Sequence, residues 1–482
     1  MKKNKPQGQI LIQVLLLSTL AVVFLSVLTN LALHNIQTLT RAYHFEQAFQ
    51  IAEAGIEYYR WHLAHNPTDY TNGTGAPGPY TVPYTDKGGI AIGEFILDIT
   101  PPLTGSTVIT IRSTGKLYAD PAAVRIIEVK LGIASLAKFA VVANDEMNFG
   151  PGTIAYGPIH SNGGIRFDGI AYNVVSSAVA QYNDPDHSGQ DEFGVHTHVD
   201  PIDPLPPAAV PTRPDVFVAG RQFPVPAIDF DGIIADLAGI KADAQASGVY
   251  FGPSSAKGYE VVLKTDDTFD VYRVQNLIPK PNGCSNEVAD NDWGTWSVNN
   301  TTLLGNYAIP ANGLIFFEDD VWVRGQINTT RLTIGSARFP DNPGTRTNIT
   351  INSDLLYSNY DGQDIIGLIA QNDINVGLYS EDNLRVDGAL IAKSERIGRP
   401  YYRAPEGPQD FCGPEAFRSE ITLFGMLATN ERYGFKWSCG GVYCSGYATR
   451  TIVYDPNLLY SPPPGFPLTS DQLEVISWEE IK

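Results

Sequence analysis

Positive charge is what this chain has least of. Its 482 residues carry 33 lysines and arginines against 52 aspartates and glutamates, a net charge of −19, and charged residues of both signs make up only 18%. A polyanionic partner would be repelled, which argues against nucleic acid and anionic lipid as ligands. Cysteine is scarce too, at four. None lies near the N-terminus, which speaks against a lipoprotein anchor. There is no G-x-S-x-G, no P-loop and no G-x-G-x-x-G following a strand, so common signatures of hydrolases and nucleotide-binding enzymes are missing. Between Ile10 and Leu28 no residue is charged, and no A-x-A tripeptide follows between Ser26 and His34, where a secretory signal would place its cleavage site.

What the chain has instead is a short basic leader, Met1-Lys-Lys-Asn-Lys-Pro-Gln-Gly8, joined directly to that apolar run. About 19 residues of helix at ~1.5 Å each span roughly 28 Å, close to the hydrocarbon thickness of a bilayer. The Leu, Ile, Val and Phe residues of the run contribute on the order of −4 to −8 kcal/mol to insertion, enough to carry Gln13 with them. Lys2, Lys3 and Lys5 precede the run and only Arg41 follows closely, which places the N-terminus in the cytoplasm and the remainder outside. Phe45, Phe49, Ala52, Ile56, Tyr59 and Leu63 then step by three and four residues, the stripe of an amphipathic helix, and Pro67 ends it. That stripe suits packing on the chain's own sheet or between subunits of a filament.

The leader ending in Gly8, the apolar helix after it and the segment Ala48-Phe-Gln-Ile-Ala-Glu-Ala-Gly55 resemble the type IV pilins and pseudopilins, in particular large minor pilins of the PilX type. The resemblance implies cleavage by a prepilin peptidase between Gly8 and Gln9. It implies an inner-membrane precursor in a bacterium, other pilins as partners through the N-terminal helix, and a place at the cell surface after assembly. Gln9 stands where the family usually has Phe or Met. Gln13 stands at the fifth mature position, where the family's Glu pairs with a neighbouring subunit's terminal amine. An uncharged Gln13 leaves a minor or capping role open.

Abundant glycine (45), proline (34) and tyrosine (24) favour many short strands and turns over long helices. Segments at 93–100, 107–113 and 123–131 alternate apolar and polar residues and are separated by turn residues, which predicts an antiparallel sheet covered by the helix. Beyond residue 135, short alternating segments recur and break at Gly, Asn or Asp, as in 320–327, 348–356, 373–377 and 383–391. This form fits the coils of an irregular β-solenoid, with a sandwich of small sheets as the alternative. The fold class is thus α+β and mainly β. Its division is a leader at 1–8, a helix at 9–66, a pilin-like sheet at 67–135, a first solenoid part at 136–203, an inserted α+β segment at 204–312, and a second solenoid part with a C-terminal tail at 313–482. In the insertion, residues 233–246 read as one helix stopped by Gly248.

Few residues suggest chemistry. His196, His198 and Asp200 would share one side of a strand at ligand-friendly spacing, with Asp186, His187 and His160 nearby, and are the candidate metal site; solvated histidines are the plain alternative. No other cofactor is implied. Asp319, Asp320, Asp361, Asp364, Asp373, Asp382 and Asp387 recur at solenoid corners, where paired carboxylates could serve polysaccharide cleavage or simply face water. Asn359 to Asp364 has the look of a calcium loop. Cys284, Cys412, Cys439 and Cys444 all lie in the exported part and allow three pairings, of which Cys439 to Cys444 would close a small loop. The expectation is a non-enzymatic, membrane-anchored pilin-like protein with a β-rich body that meets a surface glycan or protein. The competing expectation is a signal-anchored β-solenoid enzyme or glycan-binding protein.

Overall fold

The computed structural model describes residues 7–185, 189–230, 237–284, 294–468 and 472–481, with side chains from residue 10 onward. The protein is mainly β with one long N-terminal helix, and it divides into two compact units. The first takes everything up to Pro101, Ile109–Gly132 and the segment from Leu473 on; the second takes Pro102–Val108 and Ile133–Gln472.

Helix α1 runs unbroken from Gln7 to His65. It stops where Asn66 precedes Pro67, because the proline ring disfavours helical geometry in the residue before it. From Ile10 to Tyr43 every side chain is exposed, whereas Ala48, Ile51, Ala52, Gly55, Ile56, Tyr59 and Leu63 are buried. The inward face is therefore rotated slightly from the stripe anticipated in sequence, since Phe45 and Phe49 sit at its margin. Phe49 meets Trp478 with ring centroids 5.8 Å apart.

That face lies on an antiparallel meander of β1 (Tyr80–Thr85), β2 (Ala91–Thr100), β3 (Ile109–Leu117) and β4 (Val124–Gly132). Period-two alternation turns Phe95, Leu97, Ile109, Ile111, Leu117, Ile127, Val129 and Leu131 toward the helix. Small residues set the distance. A Cβ on Gly115 would fall 2.0 Å from the carbonyl oxygen of Ala48, and one on Gly55 would fall 2.3 Å from Ser113 Oγ, so backbones approach where side chains are missing. The sheet ends in a strand absent from the sequence reading. Glu474–Ile481, assigned there to the second body, pairs antiparallel with β4, Trp478 opposite Val129.

The second unit is a parallel stack. Val249, Ile315, Ile334, Leu368, Leu390, Leu427, Val141, Ile159 and Val175 are register partners in successive strands, so one aliphatic column runs through the interior. The stacking order is not the chain order. The chain enters the stack beside the strand Phe417–Thr429, runs outward through residue 222, and restarts at the opposite end with Val249–Phe251. Much of the anticipated insertion is thus the start of the stack itself, with Gly258–Leu263 pairing parallel to Val321–Ile327 and extending as an antiparallel sheet through Thr268–Leu277 and Val298–Ala308. A helix, Leu237–Ser247, covers an outer apolar face through Leu237, Ile240 and Ala244 against Leu314, Phe316 and Ile369. Gly248 follows it as anticipated, with its Cα so near the Leu314 carbonyl that a Cβ would fall 2.4 Å from that oxygen.

Buried arginines hold the corners. Arg399 is fully buried and donates to the carbonyl oxygens of Gly377, Leu378 and Glu415 while stacking over Tyr402. Arg331 does the same for Thr104, Gly362, Ser461 and Pro462. Carbonyls at turns cannot join a strand ladder, and a guanidinium with five donors can satisfy several at once.

Candidate functional site

Two features stand out chemically, the exposed half of α1 and a buried cluster at the outer end of the second unit. In α1 the apolar surface from Ile10 to Leu39 is exposed among the described residues, the condition of a segment that belongs in lipid or against other helices. The helix already includes the backbone of Gly8 and Gln9, and the Gln9 side chain lies outside the described residues. Gln13 projects from the same helix, one turn further in, and is exposed.

The anticipated metal triad is only partly brought together. His196 ends a short strand, Val195–His196, that pairs parallel with Ile165–Phe167. Two carboxylates end the strand there: Asp203 Oδ2 accepts from the amide of Thr197 at 3.1 Å, and Asp168 Oδ1 accepts from the amide of His198 at 2.7 Å. The alternation assumed in sequence is therefore broken, and Asp200 is exposed and outside the cluster. Asp184 takes its place. It follows the strand Gln181–Tyr182, which pairs antiparallel with Glu192–Phe193, and that hairpin delivers both Asp184 and Glu192. His196 Nε2 contacts Glu192 Oε2 and lies 3.6 Å from Asp184 Oδ2; His198 Nε2 lies 3.0 Å from Glu192 Oε2. His196, Asp184 and Glu192 are buried, and the ring of Tyr182 closes on His196 at 5.5 Å. Burial, together with the charges of Asp184 and Glu192, pushes the Tyr182 hydroxyl well above its ordinary range. Asp186 and His187 lie outside the described residues. His160 is elsewhere, bonded to Ser176 and Asn162, and burial holds its imidazole below the usual histidine range.

The recurring aspartates cap turns. Asp364 accepts from the amides of Thr330, Ser358 and Asn359, Asp382 from Ser419, Asp373 from Arg396, Asp319 from Ser254, and Asp387 from Tyr357. Each joins one level of the stack to the next, and in the anticipated calcium loop Asp364 is engaged in that way while Asp361 holds Gln363. The cysteines form two disulfides, Cys439 to Cys444 as one of the pairings open in sequence, and Cys284 to Cys412. An open groove lined by Glu260, Trp322, Arg324 and Tyr379 lies on the flank of the stack, with Arg324 and Glu260 paired at 2.9 Å.

No family model matches the chain, and no curated protein matches it. Among solved structures it is similar to the competence-associated pilin ComZ from Thermus thermophilus, at 14% identity over 91% of this chain and 97% of that one, with a TM-score of 0.31.

Proposed function

We propose that the chain is a minor pilin or pseudopilin-like subunit, held in the cytoplasmic membrane by α1 until it joins a filament, with its β-rich body outside. The observation that carries the reading is α1 itself. One continuous helix exposes an apolar half long enough to span a bilayer and lays its other half on an antiparallel meander, so one element serves both as anchor and as core. The leader ending in Gly8, which resembles a prepilin leader, supports the same reading, with the cytoplasm on the lysine-rich side. Gln13 favours a minor or terminal position, because a shaft subunit gains from a carboxylate that pairs with its neighbour's amine, and an unpaired carboxylate in lipid costs several kcal/mol. The second unit, taken as a β-solenoid, would be the displayed part. Its turn carboxylates are occupied by backbone amides, which suits contact with a surface glycan or protein better than catalysis.

Processing tests it. Co-expressed with a prepilin peptidase, the protein should yield a mature chain beginning at Gln9, and Gly8→Val should remain full length, since the scissile position must take a residue without a Cβ. Equal masses for the two proteins, or a mature chain starting elsewhere, would refute the reading.

A further inference from the structure

We propose that Asp184, Glu192, His196 and His198 form a zinc site that ties the 181–193 hairpin to the segment after Val195. Two imidazoles and two carboxylates are a donor set for a borderline first-row divalent ion; calcium and magnesium favour oxygen donors throughout. Around zinc, with bonds of about 2.0–2.2 Å, neighbouring ligand atoms lie about 3.3–3.6 Å apart. His196 Nε2 and Asp184 Oδ2 are 3.6 Å apart, at that spacing, while Glu192 Oε2 lies nearer, 3.0 Å from His198 Nε2 and in contact with His196 Nε2. Single donor atoms of Asp184, His196 and His198 all lie within 4.8 Å of one another.

The orientation of His196 is the second, independent observation. Its Nδ1 faces the carbonyl oxygen of Phe193 at 3.3 Å, which holds the ring with Nε2 turned into the cluster. Metal-bound histidines are commonly oriented in this way by a backbone carbonyl. Nε2 points between the two carboxylates and makes no hydrogen bond of ordinary geometry among the described residues, in a side chain only 1% exposed. A buried ring nitrogen set between two carboxylates without an ordinary hydrogen bond is a position that a cation can fill. Four protein ligands leave no open position, so the ion would be structural and not hydrolytic.

The test uses the full-length protein in detergent, stripped with a chelator and dialysed against an equimolar mixture of zinc, manganese, calcium and magnesium, with bound metal read by mass spectrometry. One zinc per chain should remain in the wild type. His196→Ala and Glu192→Gln should weaken retention by more than about 100-fold, beyond the loss typical of a group that merely orients a ligand, and His160→Ala should retain zinc fully. Retention no greater in the wild type than in His196→Ala, preference for calcium or magnesium, or equal loss in His160→Ala would overturn the site. Cobalt loaded into the wild type alone gives a readout that needs no variant to fold: a tetrahedral site yields intense visible bands, and a protein whose histidines are only ion-paired to the carboxylates yields none. Neither result bears on cleavage after Gly8, so the two proposals stand or fall separately.

Discussion

Replacing Gly115 by alanine probes the closest contact between α1 and its sheet. The added Cβ would meet the Ala48 carbonyl oxygen at 2.0 Å and the Ala52 nitrogen at 2.6 Å, and ordinary contact begins at 3.4 Å, so the helix must move away by about 1.4 Å. Those neighbours are helix backbone, and no rotamer change relieves the clash. A gap of ~1 Å forfeits a quarter to a half of each dispersion contact it opens, and Ala48, Ile51 and Ala52 are all buried around that point. Overpacking against backbone belongs at the upper end of its range, about 3 kcal/mol. Because φ at Gly115 is not left-handed, alanine also restricts the unfolded chain and returns ~0.5–1 kcal/mol. The net loss is about 2 kcal/mol, or on the order of 10 °C in melting temperature for a unit of this size. Thermal unfolding of the detergent-solubilised protein by circular dichroism measures it, and hydrogen exchange at Ile111 and Ser113 should accelerate in parallel. Gly434→Ala is the control, since nothing lies within 4 Å of its Cβ. If Gly115→Ala melts with the wild type, α1 does not rest on β3 at that distance.

The two disulfides should differ in worth. Cys284 and Cys412 are separated by 128 residues and Cys439 and Cys444 by 5, so loop-closure entropy gives about 5 kcal/mol for the first and about 2 kcal/mol for the second; denaturant titration of Cys412→Ala and Cys439→Ala should show that order, and the reverse order would contradict it. Asp320 supplies a pH dependence. Burial, aided by the charge of Asp319, pushes its carboxyl up to about 6 from an ordinary 3.8, against the lowering effect of the Asn348 amide. A raised folded-state value means that the stability it contributes is fully present below pH ~4 and is lost as pH rises through about 6, on the order of 3 kcal/mol. Asp320→Asn should flatten stability across that window, and an unchanged pH profile would show that the carboxylate is solvated.

The elements legible in sequence were those whose signal is local. The alternation in 93–100, 107–113 and 123–131 became β2, β3 and β4 within a few residues, and the apolar helix with its stripe became α1. β1 was missed because Pro83 reads as a break, yet a proline costs a sheet little at its edge, and among the described residues β1 is an edge strand paired with β2. The C-terminal strand was missed for another reason. Its pairing with β4 joins residues about 350 positions apart, and no local pattern records a partner at that distance. The stack posed the same difficulty, since Leu427 registers with Val141 in a ladder whose other neighbours follow chain order. The candidate site shows where periodicity fails. His196 and His198 were visible as a pair, but extending the strand to Asp200 ignored Asp168 and Asp203, whose carboxylates compete for the amides that would have continued it. Asp184 and Glu192 enter only once the hairpin closes Tyr182 onto Glu192. A cluster assembled by two short pairings, each of two residues, leaves almost no trace in spacing. Its chemistry is read from what surrounds Nε2 of His196, and a sequence does not record which way an imidazole is turned.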